Sequence, residues 1–213
     1  MQVSASSDDH YAQRDPDVRL MLRVRDGDAA AFEELVLRYQ NRLLTVLEHM
    51  TGRRDLAEDL TQDVFLRIYR ARERYMPNAR FSTWLFTITN NVALNARRSL
   101  ARRHEVNMET TESGSMEPLA QMALEASGQM PARLADKTEV QEIVRSAVAN
   151  LNDRQRMAVL LSKFEGMSYA DIGEVMELTP QAVKSLLSRA RGSLRNALTP
   201  YLEHGQRPEA ARS

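Results

Sequence analysis

Residues 166–191 read GMSYADIGEVMELTPQAVKSLLSRAR, and this stretch determines the fold of the second half of the chain. Ser168 with Asp171 three residues later is a capping pattern that predicts the start of a short helix. Thr179 followed by Pro180 predicts the start of a longer helix, because proline suits the first helical position. A short helix, a brief turn and a longer helix have the spacing of a helix-turn-helix, whose second helix lies in the DNA major groove.

The charge pattern of the second helix favours DNA binding. Between Thr179 and Asn196 the chain carries four basic residues and no acidic one. We expect its first turns to expose Gln181, Lys184, Ser185 and Ser188. These side chains donate and accept hydrogen bonds, as the side chains that contact base edges in DNA do. The apolar positions are expected to face the core: Val183, Leu186 or Leu187, Ala190 and Leu194. An ordinary helical hairpin with a solvated basic face is the alternative interpretation.

Residues 138–199 are predicted to form one small helical domain that contains this motif. An apolar stripe predicts a helix ahead of Asn152 or Asp153, either of which can cap the helix that follows. The long second helix of the motif is expected to stop before Pro200, because proline breaks a helix interior. Residues 200–213 are then a short tail.

Residues 106–137 have a different composition. They contain glycine, proline, serine and threonine, and acidic residues outnumber basic ones by five to two, which predicts a flexible linker. Residues 17–105 precede it as another helical domain, behind a polar tail of residues 1–16 that we expect to be disordered. No run alternates with the period of a β-strand, so the predicted fold is all-α, with two small helical domains joined by the linker.

The first domain shows its own helix signals. A long apolar stripe predicts an amphipathic helix that Gly52 ends. Asp55 with Glu58 predicts the start of the next helix. Pro77 breaks the chain, and a further helix is expected to begin near Ser82.

A basic run near the end of the first domain suggests binding of single-stranded nucleic acid. Four arginines lie within seven residues, namely Arg97, Arg98, Arg102 and Arg103. Aromatic and amide side chains lie just upstream of them. Aromatic rings stack on bases and arginines neutralise phosphates, which is how proteins hold single strands. The alternative is that Phe81, Trp84 and Phe86 all belong to the core and the arginines form a solvated helix end.

An acidic face on the predicted helix of residues 55–63 has two interpretations. Asp59 and Asp63 are four residues apart and therefore share one side of a helix. Paired carboxylates are compatible with a metal-dependent hydrolase, but the four histidines are scattered without metal-ligand spacing. A solvated face or a surface that docks another protein is the favoured interpretation.

The overall composition excludes some classes of protein. With 29 basic and 29 acidic side chains the formal net charge is zero, so any nucleic-acid surface must come from separation of charge along the chain. The absence of cysteine excludes disulfide frameworks, thiolate zinc sites and cysteine nucleophiles. The longest apolar run, residues 157–161, is far too short for a membrane span, and the polar start of the chain is not a secretory signal.

Four segments in register resemble a known family. They are Gly27-Asp28 with Ala31–Leu35, then Ala57–Phe65, then Arg80–Ile88 with Asn91, and finally Gly166–Gly173 with Val183–Ser185 and Arg189–Arg191. In this order and with this gap, the chain resembles a bacterial RNA polymerase sigma factor of the sigma-70 family, extracytoplasmic-function type. The resemblance covers residues 17–105, sigma region 2, and residues 138–198, sigma region 4.

The resemblance implies a role for each surface. Docking on the clamp helices of the polymerase β′ subunit falls on Asp59, Leu60, Gln62, Asp63, Phe65 and Leu66. Capture of the melted promoter −10 strand falls on Asn78, Arg80, Phe81, Ser82, Thr87, Asn90, Asn91, Arg97 and Arg98. Reading of the duplex −35 element falls on Thr179, Gln181, Lys184, Ser185, Ser188, Arg189 and Arg191.

The resemblance also implies partners. They are core RNA polymerase, through the β′ clamp helices and the β flap, promoter DNA, and an anti-sigma factor that holds the protein inactive. It implies a cytoplasmic, non-catalytic subunit without cofactor, metal or membrane insertion. A stand-alone helix-turn-helix regulator and the helical hydrolase are the alternatives, and both leave the docking-helix pattern of the first domain unexplained.

Overall fold

The computed structural model describes residues 11, 14–110 and 142–204, and within these residues the fold is helical with no strand. The first domain contains α1 (Pro16–Arg25), α2 (Ala29–Thr51), α3 (Arg54–Ala71), a 3₁₀ turn (Arg72–Arg74) and α4 (Phe81–Thr110). The second contains α5 (residues 142–149), α6 (Asp153–Lys163), α7 (Tyr169–Met176) and α8 (Pro180–His204). The predicted all-α class is confirmed.

Helix boundaries follow the capping residues at most ends. Gly52 ends α2 in the left-handed region, with φ 72°, which glycine adopts without strain. Asn152 caps α6 and exchanges side-chain bonds with Gln155 in a capping box. Ser168 and Asp171 make the same reciprocal arrangement at the start of α7, as their spacing predicts.

Two helix boundaries differ from the prediction. Asp55 is not the cap of α3, because the helix begins one residue earlier and Arg53, which precedes it, makes no side-chain cap bond. The carboxylate of Asp55 pairs instead with the Arg53 guanidinium. The predicted stop before Pro200 is also wrong, since α8 continues to His204. Proline removes only one N–H from a helix, and the neighbouring turns carry the helix past it.

The start of the predicted linker and the end of the predicted N-terminal tail are both helical or helix-capping in the structure. α4 runs to Thr110, five residues into the stretch predicted as linker from residue 106. At the other end, Asp15 caps α1 by accepting a hydrogen bond of 2.9 Å from Asp17 N–H, so the ordered fold includes the last residues of the expected tail. The remaining predictions for residues 1–10, 12–13, 111–141 and 205–213 lie outside the described residues.

The helix-turn-helix depends on one close approach. The last residue before the turn, Glu177, adopts the left-handed conformation with φ 54°, and Leu178 N–H donates to the Gly173 carbonyl at 2.8 Å. A Cβ on Gly173 would lie 2.6 Å from the Leu178 carbonyl oxygen, so the tight turn requires glycine there. The core-facing side of α8 matches the predicted positions, with Leu186 and Leu187 both buried.

The two domains share a continuous hydrophobic core. α1 to α4 bury Phe81, Leu85 and Phe86 among aliphatic side chains of α1 and α2. The apolar faces of α6, α7 and α8 join the same cluster. The domains are therefore packed against each other and are not separate bodies on a tether.

A buried guanidinium joins the domains. Arg156 of α6 is only 4% exposed, and its nitrogens donate to the carbonyls of Val148, Ala149, Leu151 and, across the domain boundary, Met50 at 3.2 Å. Burial lowers the pKa of Arg156, and the nearby Arg97 guanidinium lowers it further. Arg97 of α4 also donates to the Met50 carbonyl, at 3.3 Å, and pairs with Asp153 of α6 at 2.7 Å.

We expect Arg156→Met to lower the free energy of unfolding by about 3 kcal/mol, because methionine keeps the aliphatic volume and leaves four carbonyls without this donor. Urea unfolding followed by circular dichroism measures the change. The matched control is Arg154→Ala on the exposed side of the same helix, for which we expect a change within about 0.5 kcal/mol. Equal losses for the two variants would contradict the structural role of Arg156.

Candidate nucleic-acid and protein interfaces

The outer faces of α2 and α3 leave an apolar groove of about 580 Å³, which we call the α2–α3 groove. Its lining is Ala29, Phe32, Val36, Gln62, Phe65, Leu66 and Tyr69. Phe32 packs edge-on against Phe65, with ring centroids 6.3 Å apart, and tilted against Tyr69 at 5.1 Å. Leu66 is 52% exposed and Tyr69 43% exposed, so large apolar side chains face solvent here.

Carboxylates border the α2–α3 groove along α3. Asp59 is exposed, and Asp63 pairs with Arg67 at 3.0 Å on the next turn. Gln62 and Leu66 stand beside these acids, whereas Leu60 and Phe65 turn toward the core. Of the six predicted docking residues, Gln62, Phe65 and Leu66 line the groove and Asp59 and Asp63 give it an acidic edge, whereas Leu60 packs against the core. No group of three or more possible metal-binding side chains occurs among the described residues.

The predicted single-strand surface follows the start and one side of α4. Asn78, Arg80, Asn91 and Arg98 are exposed, and Ser82 and Thr87 are half-buried. Phe81 is buried against Tyr39, with ring centroids 5.3 Å apart, so its ring packs in the core in this arrangement and does not present a stacking face. Asn78 and Arg80 lie in the loop just before α4, and the other predicted residues lie along the helix. The second domain packs on part of this surface.

Two of the predicted single-strand residues contact the second domain. Asn90 is only 7% exposed, and its amide nitrogen lies 3.5 Å from the Val175 carbonyl oxygen of α7, to which it donates. Arg97 pairs with Asp153 of α6. The sequence does not predict these contacts, because a long stretch of chain separates the partners.

Asp15 holds the start of α4, a role that the sequence reasoning missed. Its carboxylate caps α1 and also accepts a hydrogen bond of 3.0 Å from the Phe81 N–H, the first residue of α4. The Asp15-Pro16 pair is a helix-start pattern and could have placed this residue in the fold. Next to Asp15, the Tyr39 hydroxyl donates to Asp17 at 2.5 Å. Burial raises the pKa of Tyr39, and the hydrogen bond to the Asp17 carboxylate raises it further.

The reading face of α8 is open. All seven residues predicted for duplex recognition are exposed: Thr179, Gln181, Lys184, Ser185, Ser188, Arg189 and Arg191. The Thr179 hydroxyl accepts from Ala182 N–H at 3.2 Å, which caps the helix and leaves its first turn toward solvent. The Arg191 Nε donates to the Leu187 carbonyl of its own helix at 3.2 Å, so the other nitrogens of this guanidinium remain for a phosphate.

Family models match both domains. The model for sigma-70 region 2 matches residues 35–103, and the model for sigma-70 region 4 matches residues 141–194. The first match includes most of α2, all of α3 and most of α4, and the second includes the helix-turn-helix. The two models therefore match the parts of the chain that carry the candidate surfaces.

Relatives match the chain over most of its length. It is 32% identical to an RNA polymerase sigma-H factor of Pseudomonas aeruginosa over 189 residues, 89% of this chain and 97% of the relative. It is 30% identical to an ECF RNA polymerase sigma-E factor of Haemophilus influenzae, covering 90% of this chain and all of the relative.

Two solved structures share the fold. One is CnrH in complex with the cytosolic domain of CnrY, with a TM-score of 0.63 and 24% identity over 87% of this chain and 98% of CnrH. The other is the sigma factor RpoE of Bartonella quintana in complex with the anti-sigma factor NepR, with a TM-score of 0.56 and 23% identity over 79% of this chain and 96% of RpoE.

Proposed function

The chain belongs to the extracytoplasmic-function sigma factors of RNA polymerase, and from this premise we propose that its three surfaces divide the work of promoter recognition. A sigma factor directs core polymerase to promoters. The single observation that best supports the division is that the α3 wall of the acid-bordered apolar groove, the α4 surface and the α8 reading face lie in the segments that the two family models match.

The α2–α3 groove and its acidic edge are the proposed docking surface for core polymerase. Leu66 offers exposed apolar area, and Asp59 and Asp63 offer negative charge beside it. An apolar centre with a charged rim is the usual anatomy of a specific protein interface. The proposed partner surface is the pair of clamp helices of the β′ subunit, and carboxylates at the rim steer a basic partner.

The α4 surface is the proposed site for the melted −10 strand. Asn78, Arg80 and Ser82 lie at its start, and Thr87, Asn91 and Arg98 continue along it. Amide and hydroxyl groups can bond the edges of unpaired bases, while arginines neutralise phosphates. Turning a base out of the stack costs a few kcal/mol of unstacking free energy, and contacts between the base and a protein pocket offset this cost.

The exposed face of α8 is the proposed reader of the duplex −35 element. Gln181, Lys184 and Ser188 stand on its first turns, where the second helix of such a motif meets base edges. Arg189 and Arg191 follow one turn later and can bind phosphates. The same domain is the proposed contact of the polymerase β flap.

As a polymerase specificity subunit, the chain is proposed to act in the cytoplasm without catalysis of its own. The part of the chain described here has no helix that is long and apolar enough to cross a bilayer. We further propose control by an anti-sigma factor, because solved relatives of the same fold include a sigma factor held by one.

Reconstitution tests the function directly. Core polymerase that is free of other sigma factors is mixed with this protein and fragmented genomic DNA, and transcript starts are mapped. We expect starts that share two upstream elements and that are absent with core alone. The absence of both co-purification with core and transcripts would contradict the proposal.

Charge reversal tests the docking surface. We expect Asp59→Lys/Asp63→Lys to weaken binding to core polymerase on the order of tenfold, because it removes the acidic edge that complements the clamp. The helical circular dichroism should stay unchanged, since Asp59 is exposed and the Asp63 side chain, 39% exposed, makes only a surface pair with Arg67. The matched control is Asp26→Lys/Glu73→Lys, the same change of charge at exposed positions outside the groove. Equal weakening by both variants would mean that only net charge matters.

Single substitutions test the reading face. On a duplex that carries the mapped −35 element, we expect Lys184→Ala and Arg189→Ala each to weaken binding of the holoenzyme by about 1–3 kcal/mol. The control Lys163→Ala changes an exposed lysine at the end of α6 and should leave binding unchanged. Unchanged binding for Lys184→Ala and Arg189→Ala would move the reading face elsewhere on the domain.

A further inference from the structure

The loop of residues 75–80 carries two of the side chains proposed to hold the −10 strand, those of Asn78 and Arg80. It joins the 3₁₀ turn to α4, and within the described structure its backbone makes one internal hydrogen bond, from Asn78 N–H to the Met76 carbonyl at 2.9 Å. A loop with so few hydrogen bonds of its own takes its conformation from the elements at its ends. The contacts that fix those ends therefore decide where Asn78 and Arg80 lie.

Aromatic packing fixes the first end of this loop. Tyr75 is only 3% exposed, and its ring lies against Trp84 of α4 with centroids 4.8 Å apart. The Tyr75 hydroxyl is buried without a hydrogen-bond partner among the described residues, so ring contacts hold this side chain in place. Pro77 is buried as well, whereas Asn78 is exposed. The loop thus places its polar side chain outward from two buried anchors.

The carboxylate of Asp15 fixes the second end. Its Oδ2 accepts a hydrogen bond of 3.0 Å from the N–H of Phe81, the first residue of α4, and its Oδ1 accepts one of 2.9 Å from Asp17 N–H at the start of α1. One side chain therefore serves the amino ends of two helices. A carboxylate is favourable at both places, because the first N–H groups of a helix have no acceptor within it and carry partial positive charge.

Helix α4 needs this outside acceptor because its own cap residue cannot provide one. The Arg80 carbonyl accepts the opening hydrogen bond of the helix, from Trp84 N–H at 3.2 Å, which places Arg80 at the cap position. A guanidinium has five donors and no acceptor, so the Arg80 side chain cannot bond the N–H groups of the first turn. The exposed Arg80 side chain remains available for a phosphate, while Asp15 does the capping.

We propose that Asp15 is a positioning residue for recognition of the −10 strand. Its carboxylate holds the first turn of α4, and through it the side chains of Asn78 and Arg80, in the geometry that the strand meets. The proposal rests on the function proposed above for the α4 surface. Asp15 lies outside residues 35–103, the segment that the region 2 model matches. A loop that is ordered before binding loses less conformational freedom when the strand binds, so removal of this carboxylate weakens strand binding.

The variant Asp15→Ser separates the two capping roles of Asp15. Serine has one oxygen on a shorter side chain, so it keeps α1 capped and leaves Phe81 N–H without its acceptor. The matched control is Asp28→Ser. Asp28 caps α2, which carries none of the proposed strand-binding residues, by accepting from Ala31 N–H at 3.1 Å. Both variants lose one carboxylate and retain a serine cap, so they are equal in net charge and in cap chemistry.

Trp84 fluorescence measures the positioning of α4 without DNA. Trp84 is the only tryptophan of the chain, and it is half-buried in the first turn of α4. We expect Asp15→Ser to shift its emission to longer wavelength and to raise its quenching by acrylamide, because an uncapped first turn exposes the indole to water. Asp28→Ser should leave both signals at the wild-type values. Wild-type signals in Asp15→Ser would overturn the proposal.

Binding of DNA by the holoenzyme measures recognition. The probes are a labelled single strand that carries the mapped −10 element, the same strand with that element scrambled, and a duplex that carries the −35 element. We expect Asp15→Ser to weaken binding of the −10 strand on the order of tenfold, and to reduce its preference over the scrambled strand, with no change for the duplex. Unfolding would weaken all three alike. Equal weakening of all three, or none for the −10 strand, would overturn the proposal.

A double-variant cycle tests whether Asp15 acts through the loop. In the Asn78→Ala/Arg80→Ala background, we expect Asp15→Ser to weaken binding of the −10 strand by about threefold or less, because the side chains that it positions are gone. An undiminished loss in that background would overturn the route through Asn78 and Arg80. If the wild-type holoenzyme does not prefer the −10 strand over the scrambled one, the function proposed for α4 fails, and the recognition role of Asp15 fails with it. The Trp84 measurement still decides whether Asp15 holds the start of α4.

Discussion

The carboxyl end of α2 is the point on which the packed structure depends. The Met50 carbonyl accepts hydrogen bonds from Arg97 of the first domain and from Arg156 of the second. A buried cation is costly unless its donors are satisfied, and here helix-end carbonyls, which carry partial negative charge, replace the missing carboxylate. Because Met50 lies in the last turn of α2, its carbonyl has no N–H donor within the helix, and the two guanidinium groups provide the donors instead. Both domains therefore meet where a helix needs donors and a guanidinium needs acceptors.

This junction explains how a chain of zero net charge can present charged surfaces. The basic groups of α4 and the acidic groups of the second domain lie against each other, as in the pair of Arg97 with Asp153. The acids of α3 and the bases of α8 remain exposed. Zero net charge is therefore compatible with two exposed surfaces of opposite sign, because acidic and basic groups occupy different places in the described fold.

Much of the fold could be read from local signals. Ser168 with Asp171, and Gly52, mark helix ends in the structure as their chemistry predicts, and Asn152 is the cap of α6 from the predicted pair of Asn152 or Asp153. These signals work because a cap satisfies backbone groups within one turn of itself. The two wrong boundaries are at Asp55, where α3 begins one residue earlier, and at Pro200, where α8 continues through the proline.

By itself the sequence determined the helices, their apolar faces and the positions of the charged groups, because periodicity and capping act within a few residues. The relative placement of the domains was decided only in three dimensions. The burial of Asn90 and the ion pair of Arg42 with Glu165 join positions 85 and 123 residues apart. Such contacts have no local pattern, since their free energy comes from desolvation and partner geometry that exist only once the two domains have packed.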